Sequence, residues 1–177
     1  MSTITLRGVI TDGVGKHVEL HVPGRNEISQ APDDWPVTLQ KGSLNVRIES
    51  GGYPSLFASA GLPVLVKSLD ARPFPAAFEI AQDELGNNRL VPTPQMPHRG
   101  SAQVWRASRV VRGERHPCWV LRRFGSGVGE QLELLSHLHM RSSFKLVNGE
   151  QVEVVMQRGN AQPGAQADSP AYGRPAA

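Results

Sequence analysis

The sequence predicts a mainly β fold, a small barrel or sandwich. Three observations carry this. About eight or nine short stretches alternate apolar with polar residues, the period of a half-buried strand. Glycine (18) and proline (14) are scattered throughout, which leaves little uninterrupted chain for long helices. Turn-forming runs such as "ELGNN" and "VNGE" separate the alternating stretches at the spacing of an all-β domain.

In chain order, "TITLRGVI" and "HVELHV" flank "TDGVGK" and read as a hairpin or a pair of strands around a glycine loop. "EISQAPDDWPVTLQ" is a polar, proline-broken connection with room for a short helix near Trp35. "SLNVRIES" is a strand, and "YPSLFASAGLPVLVKSL" suits a short helix followed by a strand. "FPAAFEIAQD" and "NRLVPT" are expected to pair across "ELGNN". "SAQVWRASRVV", "HPCWVLRRF" and "EQLELLS" are three further strands, "SHLHMRSSFKL" a short helix or turn, and "GEQVEVVM" the last strand.

With 177 residues, 39% of them hydrophobic and 20% charged, the chain can build one soluble domain with a sizeable core. Residues 1–158 are expected to form that domain. From Gly159 to residue 177 the sequence is rich in Ala, Pro, Gly and Gln, the composition of a disordered tail. The expected location is cytoplasmic. The N-terminus lacks an apolar signal core, no run of about 18 apolar residues suggests a membrane span, and one cysteine, Cys118, has no partner for an internal disulfide. Cys118 reads as a small core residue rather than a nucleophile.

The formal charge is only +3. Arginines 106, 109, 112, 115, 122 and 123 are grouped, but no aromatic residues interleave as a nucleic-acid stripe requires. Nucleic acid is therefore not the expected partner.

Three places can carry chemistry. In "TDGVGKHV", Gly13 and Gly15 flank Val14, with Lys16 and His17 following. Glycines let consecutive amides approach a phosphate, and a lysine adds a point charge; the same residues also make an ordinary hairpin turn. In "KGSLNVRI", Ser43 and Asn45 project to one face of a strand and Leu44, Val46 and Ile48 to the other. A hydroxyl and a carboxamide are hard neutral ligands for Mg²⁺ when phosphates bring the negative charge; they can equally cap a turn. In "EQLELLSHLHMR", Glu133 can accept from a polar ligand and Arg141 can hold phosphate or stack on a base; the alternative is a surface salt bridge. His137 and His139 lack a third ligand and are expected to face solvent.

In order and rough spacing, "GVITDGVGKHVELHVPG", "KGSLNVRI", "LELLSHLHMR" and "LVNGEQVEVVM" resemble the CTP-dependent riboflavin kinases best known from archaea. Ser43 stands where that family has threonine, keeping the hydroxyl, and Lys41 stands where it has proline. The resemblance implies a six-stranded cradle-loop β-barrel with extra strands and one or two short helices. It implies transfer of a phosphoryl group from a nucleoside triphosphate, CTP foremost, to riboflavin, giving FMN. Gly13, Val14, Gly15 and Lys16 would wrap the phosphates, and Ser43 and Asn45 would bind Mg²⁺. Leu138, His139, Met140 and Arg141 would lie along the nucleotide. Ser126 and Glu133 would contact the flavin, with Glu133 also the candidate catalytic carboxylate. A kinase with another acceptor alcohol and a non-catalytic flavin- or nucleotide-binding module share these residues.

Overall fold

The structure, a computed structural model, describes residues 3–13, 20–41, 44–49, 74–126 and 131–159. Among them are seven strands: β1 (Thr3–Thr11), β2 (Leu44–Ile48), β3 (Phe78–Ile80), β4 (Ala102–Val111), β5 (Glu114–Arg123), β6 (Gln131–Leu135) and β7 (Gln151–Gln157). One helical turn, α1 (Met140–Ser143), precedes β7. Six strands close an antiparallel barrel in the order β4-β5-β6-β2-β1-β7, with β7 returning to β4. β3 stands outside the ring. It pairs with Ala102–Val104 of β4, while Ala107–Val110 of the same strand pair with β7. A ring closed in this way exposes almost no unpaired strand edge.

Alternation along the strands fills the barrel. Leu6, Ile10, Val46, Trp105, Val120, Leu134 and Val154 point inward and are almost completely buried. Gly8 also occupies an inward position of β1, where strands come so close that a β-carbon would stand 2.3 Å from Arg47 O. The barrel end beside the β1 terminus is plugged by α1 and its exit, through Met140, Phe144 and Leu146. β4 and β5 are joined by the two residues Arg112 and Gly113, both with positive φ (53° and 80°), as a tight hairpin requires.

A second apolar cluster covers the outer face of β3, β4, β5 and β6. The connection through residues 20–41 supplies its lid. Trp35 packs edge-on against Phe78 (5.0 Å between ring centres) and Trp119 (4.9 Å), and its indole N–H donates to Pro23 O at 3.1 Å.

Several local expectations change. Near Trp35 the chain makes a turn, not a helix, with Trp35 N donating to Pro32 O; the one 3₁₀ turn of this connection is Arg25–Glu27. Residues 17–19 of "HVELHV" lie outside the described residues, and residues 20–22 do not pair with β1, whose partners are β2 and β7. His21 instead exchanges two backbone hydrogen bonds with Gly86. "NRLVPT" is not the partner of β3, whose ladder is with β4. Pro92 removes a ladder donor, and Asn88 ties the segment down by donating to Gly100 O at 2.6 Å. The expected helix and strand within residues 53–69 lie outside the described residues. So does the expected tail, apart from Gly159, whose amide donates to Pro75 O at 2.8 Å.

The arginines do not share one face. Arg106 forms a bidentate pair with Asp34, and Arg112 pairs with Glu150. Arg109 points into the barrel, 4.0 Å from the ring centre of Phe144. Cys118 is a core residue, and burial pushes its thiol up to about 12. No helix among the described residues is long and apolar enough to cross a membrane.

Candidate functional site

Strand register assembles the site. Thr11 of β1 lies opposite Asn45 of β2, Asn45 opposite Glu133 of β6, and Glu133 opposite Leu121 of β5. Cross-strand partners project to the same face. Leu44 and Val46 face the barrel core, so this row, Thr11, Asn45, Glu133 and Leu121, lies on its outer wall.

Beyond Thr11 the chain folds over that wall. Gly13 sits so close to β2 that a β-carbon there would stand 3.0 Å from Asn45 Nδ2. Three side chains from separate elements grip this bend. Arg141 Nη2 of α1 donates to Thr11 O at 2.7 Å and lies 3.5 Å from Asp12 Oδ1. Gln131 Nε2 of β6 donates to Asp12 O at 3.0 Å. Asn148 Nδ2 donates to Asp12 Oδ2 at 2.8 Å.

On the far side of Asn45, a small recess, partly open to solvent, is lined by Leu121, Arg122, Arg123, Ser126, Gln131 and Glu133. Burial raises the pKa of the Glu133 carboxyl, against the opposing pull of Arg123 and Arg122. Such a carboxyl holds its proton to higher pH than a solvated one and is a stronger base once ionised. Beside the recess, Gly125 turns at φ 75°, and Arg99 packs against it closely enough that a β-carbon would meet its Cγ at 2.8 Å.

The structure thus brings Gly13, Asn45, Glu133, Ser126 and Arg141 to one stretch of wall and rim. Val14, Gly15, Lys16 and Ser43 lie outside the described residues. Arg141 is not ion-paired with Glu133; its carboxylate neighbour is Asp12. Leu138 and His139 are exposed, as is His137. His139 caps α1, its ring nitrogen accepting from Ser142 N at 3.3 Å. The Met140 side chain belongs to the barrel core, which leaves its main chain as the part able to meet a ligand.

The donor set can be tested against Mg²⁺. The described residues contain no group of three His, Cys, Asp or Glu side chains able to hold a metal alone. The Asn45 carboxamide, beside a glycine that leaves room over it, suits a hard ion whose remaining ligands are phosphate oxygens and water. Asn45 is one donor of the kind such an ion accepts, and Ser43, the second expected donor, lies outside the described residues.

Sequence reasoning missed Asp12, Gln131 and Asn148. Gln131 carried one usable signal: it lies two residues before Glu133, on the same face of a strand. No protein-family model matches the chain, and no curated protein matches it.

Proposed function

We propose that the chain is a Mg²⁺-dependent phosphotransferase that moves the terminal phosphoryl group of a nucleoside triphosphate, CTP by resemblance, to riboflavin, giving FMN. The observation that supports this reading best is the juxtaposition of Gly13 with Asn45 and, across one strand register, with Glu133. Residues that the resemblance pairs with phosphate, metal and flavin are neighbours in that order along one wall.

In this reading the acceptor's primary hydroxyl lies in the recess beside Glu133. Its oxygen attacks the terminal phosphorus, the bond to the bridging oxygen breaks, and a nucleoside diphosphate leaves. Glu133 in its ionised form takes the hydroxyl proton. The amides at Gly13 face the phosphates, with Lys16 of the same loop adding positive charge. Asn45 and Ser43 hold Mg²⁺, which neutralises charge on the phosphate oxygens. Positioning and charge neutralisation are the main requirements of phosphoryl transfer, so the fixed wall matters more than any single acid or base.

The test is direct. Purified protein is incubated with riboflavin, Mg²⁺ and, separately, CTP, ATP, GTP and UTP, and FMN is measured by chromatography. The expected result is FMN with at least one nucleotide, reduced about 10²–10³-fold in Asn45→Ala. No FMN with any of the four sinks the riboflavin kinase. Thermal stabilisation by flavin without turnover would favour the binding module, and turnover of a different alcohol the alternative kinase.

A further inference from the structure

Two consecutive carbonyl groups at the root of the glycine loop are held by side chains from outside it. Thr11 O accepts from Arg141 Nη2 at 2.7 Å, and Asp12 O accepts from Gln131 Nε2 at 3.0 Å. The donors come from α1 and β6, which flank the bend from different elements. Gln131 is buried, so its amide is fixed in place, and it lines the recess next to Glu133.

The consequence follows from peptide geometry. A trans peptide is planar, and its C=O and N–H point in opposite directions. The described residues contain no cis peptide. Holding the Thr11 carbonyl therefore aims the Asp12 N–H the other way, and holding the Asp12 carbonyl aims the Gly13 N–H. Each grip also polarises the amide on the far side of its peptide, because hydrogen bonds in series strengthen one another.

We propose that Gln131 is a positioning residue, assisted by Arg141, that aims the first amides of the glycine loop at an anionic phosphate group by gripping the carbonyls behind them. The inference rests on the reading of that loop as the phosphate cradle. It adds a role for a side chain that also borders the acceptor recess. Gln131 thereby ties the phosphate-facing bend to the wall that holds Glu133, and the two substrates' sites keep one fixed separation.

Two variants test it. Gln131→Met keeps the length and removes the donor. Gln131→Glu replaces the donor with a carboxylate that can only accept at neutral pH. Ser126→Ala, in the same recess but with no bond to Asp12, is the control. The first readout needs no ligand: the Asp12 carbonyl carbon and Gly13 amide nitrogen resonances of the isotope-labelled chain. Both are expected to move in the two Gln131 variants and to stay in Ser126→Ala. The second readout is kinetic. The nucleotide KM is expected to rise about tenfold in Gln131→Met, the weight of one lost hydrogen bond, and further in Gln131→Glu, in each case by a larger factor than the riboflavin Kd, whose recess Gln131 also borders.

Unmoved Asp12 and Gly13 resonances overturn the inference whatever the enzyme does. So does a riboflavin Kd that changes by the same factor as the nucleotide KM. If the resonances move but the unmodified chain binds no nucleotide, the grip stands as a device of loop geometry, its aim at phosphate is refuted, and the kinase reading falls with it.

Discussion

Replacing Gly13 with alanine separates a phosphate cradle from an ordinary turn. The added carbon would stand 3.0 Å from Asn45 Nδ2 and 3.6 Å from Asn45 Cγ. Comfortable non-bonded contact begins at about 3.5 Å, so loop and carboxamide must part by about half an ångström. Misplacing reacting groups by about 1 Å costs on the order of 10²-fold in rate. Gly13→Ala is thus expected to lower kcat/KM for FMN formation about tenfold, and the bulkier Gly13→Val about 100-fold. Stability should change by less than about 1 kcal/mol in Gly13→Ala: Gly13 is not among the positive-φ glycines, so the gain of about 0.4–1 kcal/mol through the unfolded chain offsets the cost of parting the loop from Asn45. The assays are initial rates of FMN formation and urea denaturation of the same preparations. Unchanged activity in Gly13→Val would refute the close packing of Gly13 on Asn45 as a functional contact. Activity and stability falling together in Gly13→Ala would show that the lost rate reflects unfolding instead.

Three further outcomes follow from burial and charge. The folded chain holds the Glu133 proton more tightly than the unfolded chain does, because burial raises its pKa. Wild-type stability should therefore decline as pH rises from the unfolded to the folded pKa of this group, and Glu133→Gln should remove that decline. The melting temperature of Glu133→Gln relative to wild type is expected to grow as pH rises above the ordinary carboxylate range, and FMN formation to fall; an advantage that shrinks with pH would contradict the assignment. Trp35→Ala removes a buried indole and two edge-on ring contacts, so urea denaturation should show a loss of about 3–5 kcal/mol; a loss under about 1 kcal/mol would mean the outer cluster is not a cooperative part of the fold. Arg109 is buried, and its Nε and Nη2 have no hydrogen-bond partner. Replacing such a charge with an apolar side chain is often neutral or stabilising by about 1–4 kcal/mol, so Arg109→Met should fold at least as stably as wild type; a clear loss in denaturant midpoint would assign the contact with Phe144 a larger weight than desolvation.

Strands were legible where the signal is short-range. The alternation of Leu44, Val46 and Ile48 marked β2, and their burial follows it. The same holds for β4, β5, β6 and β7. Pairing was not legible in the same way. "HVELHV" alternates as clearly as β1 does, yet its described residues 20–22 have no place on β1, which pairs with β2 and with β7 from a distant part of the chain. The arginines grouped in sequence are apart in space for a related reason. Neighbours in sequence on one strand alternate sides, so Arg106 faces Asp34 outside while Arg109 turns into the barrel.

The candidate site divides along the same line. A glycine at a bend, the short polar side chain of Asn45 on one strand face and a carboxylate on another strand can all be read from the chain one residue after another, since each depends on local geometry and side-chain chemistry. That Asn45 stands opposite Glu133, that Gly13 folds over Asn45, and that Gln131, Arg141 and Asn148 converge on Thr11 and Asp12 follow from barrel closure and register. Those contacts join segments far apart in sequence, and they exist because burying one face of all six strands together admits one registration of the ring, which carries the polar outer face into place with it.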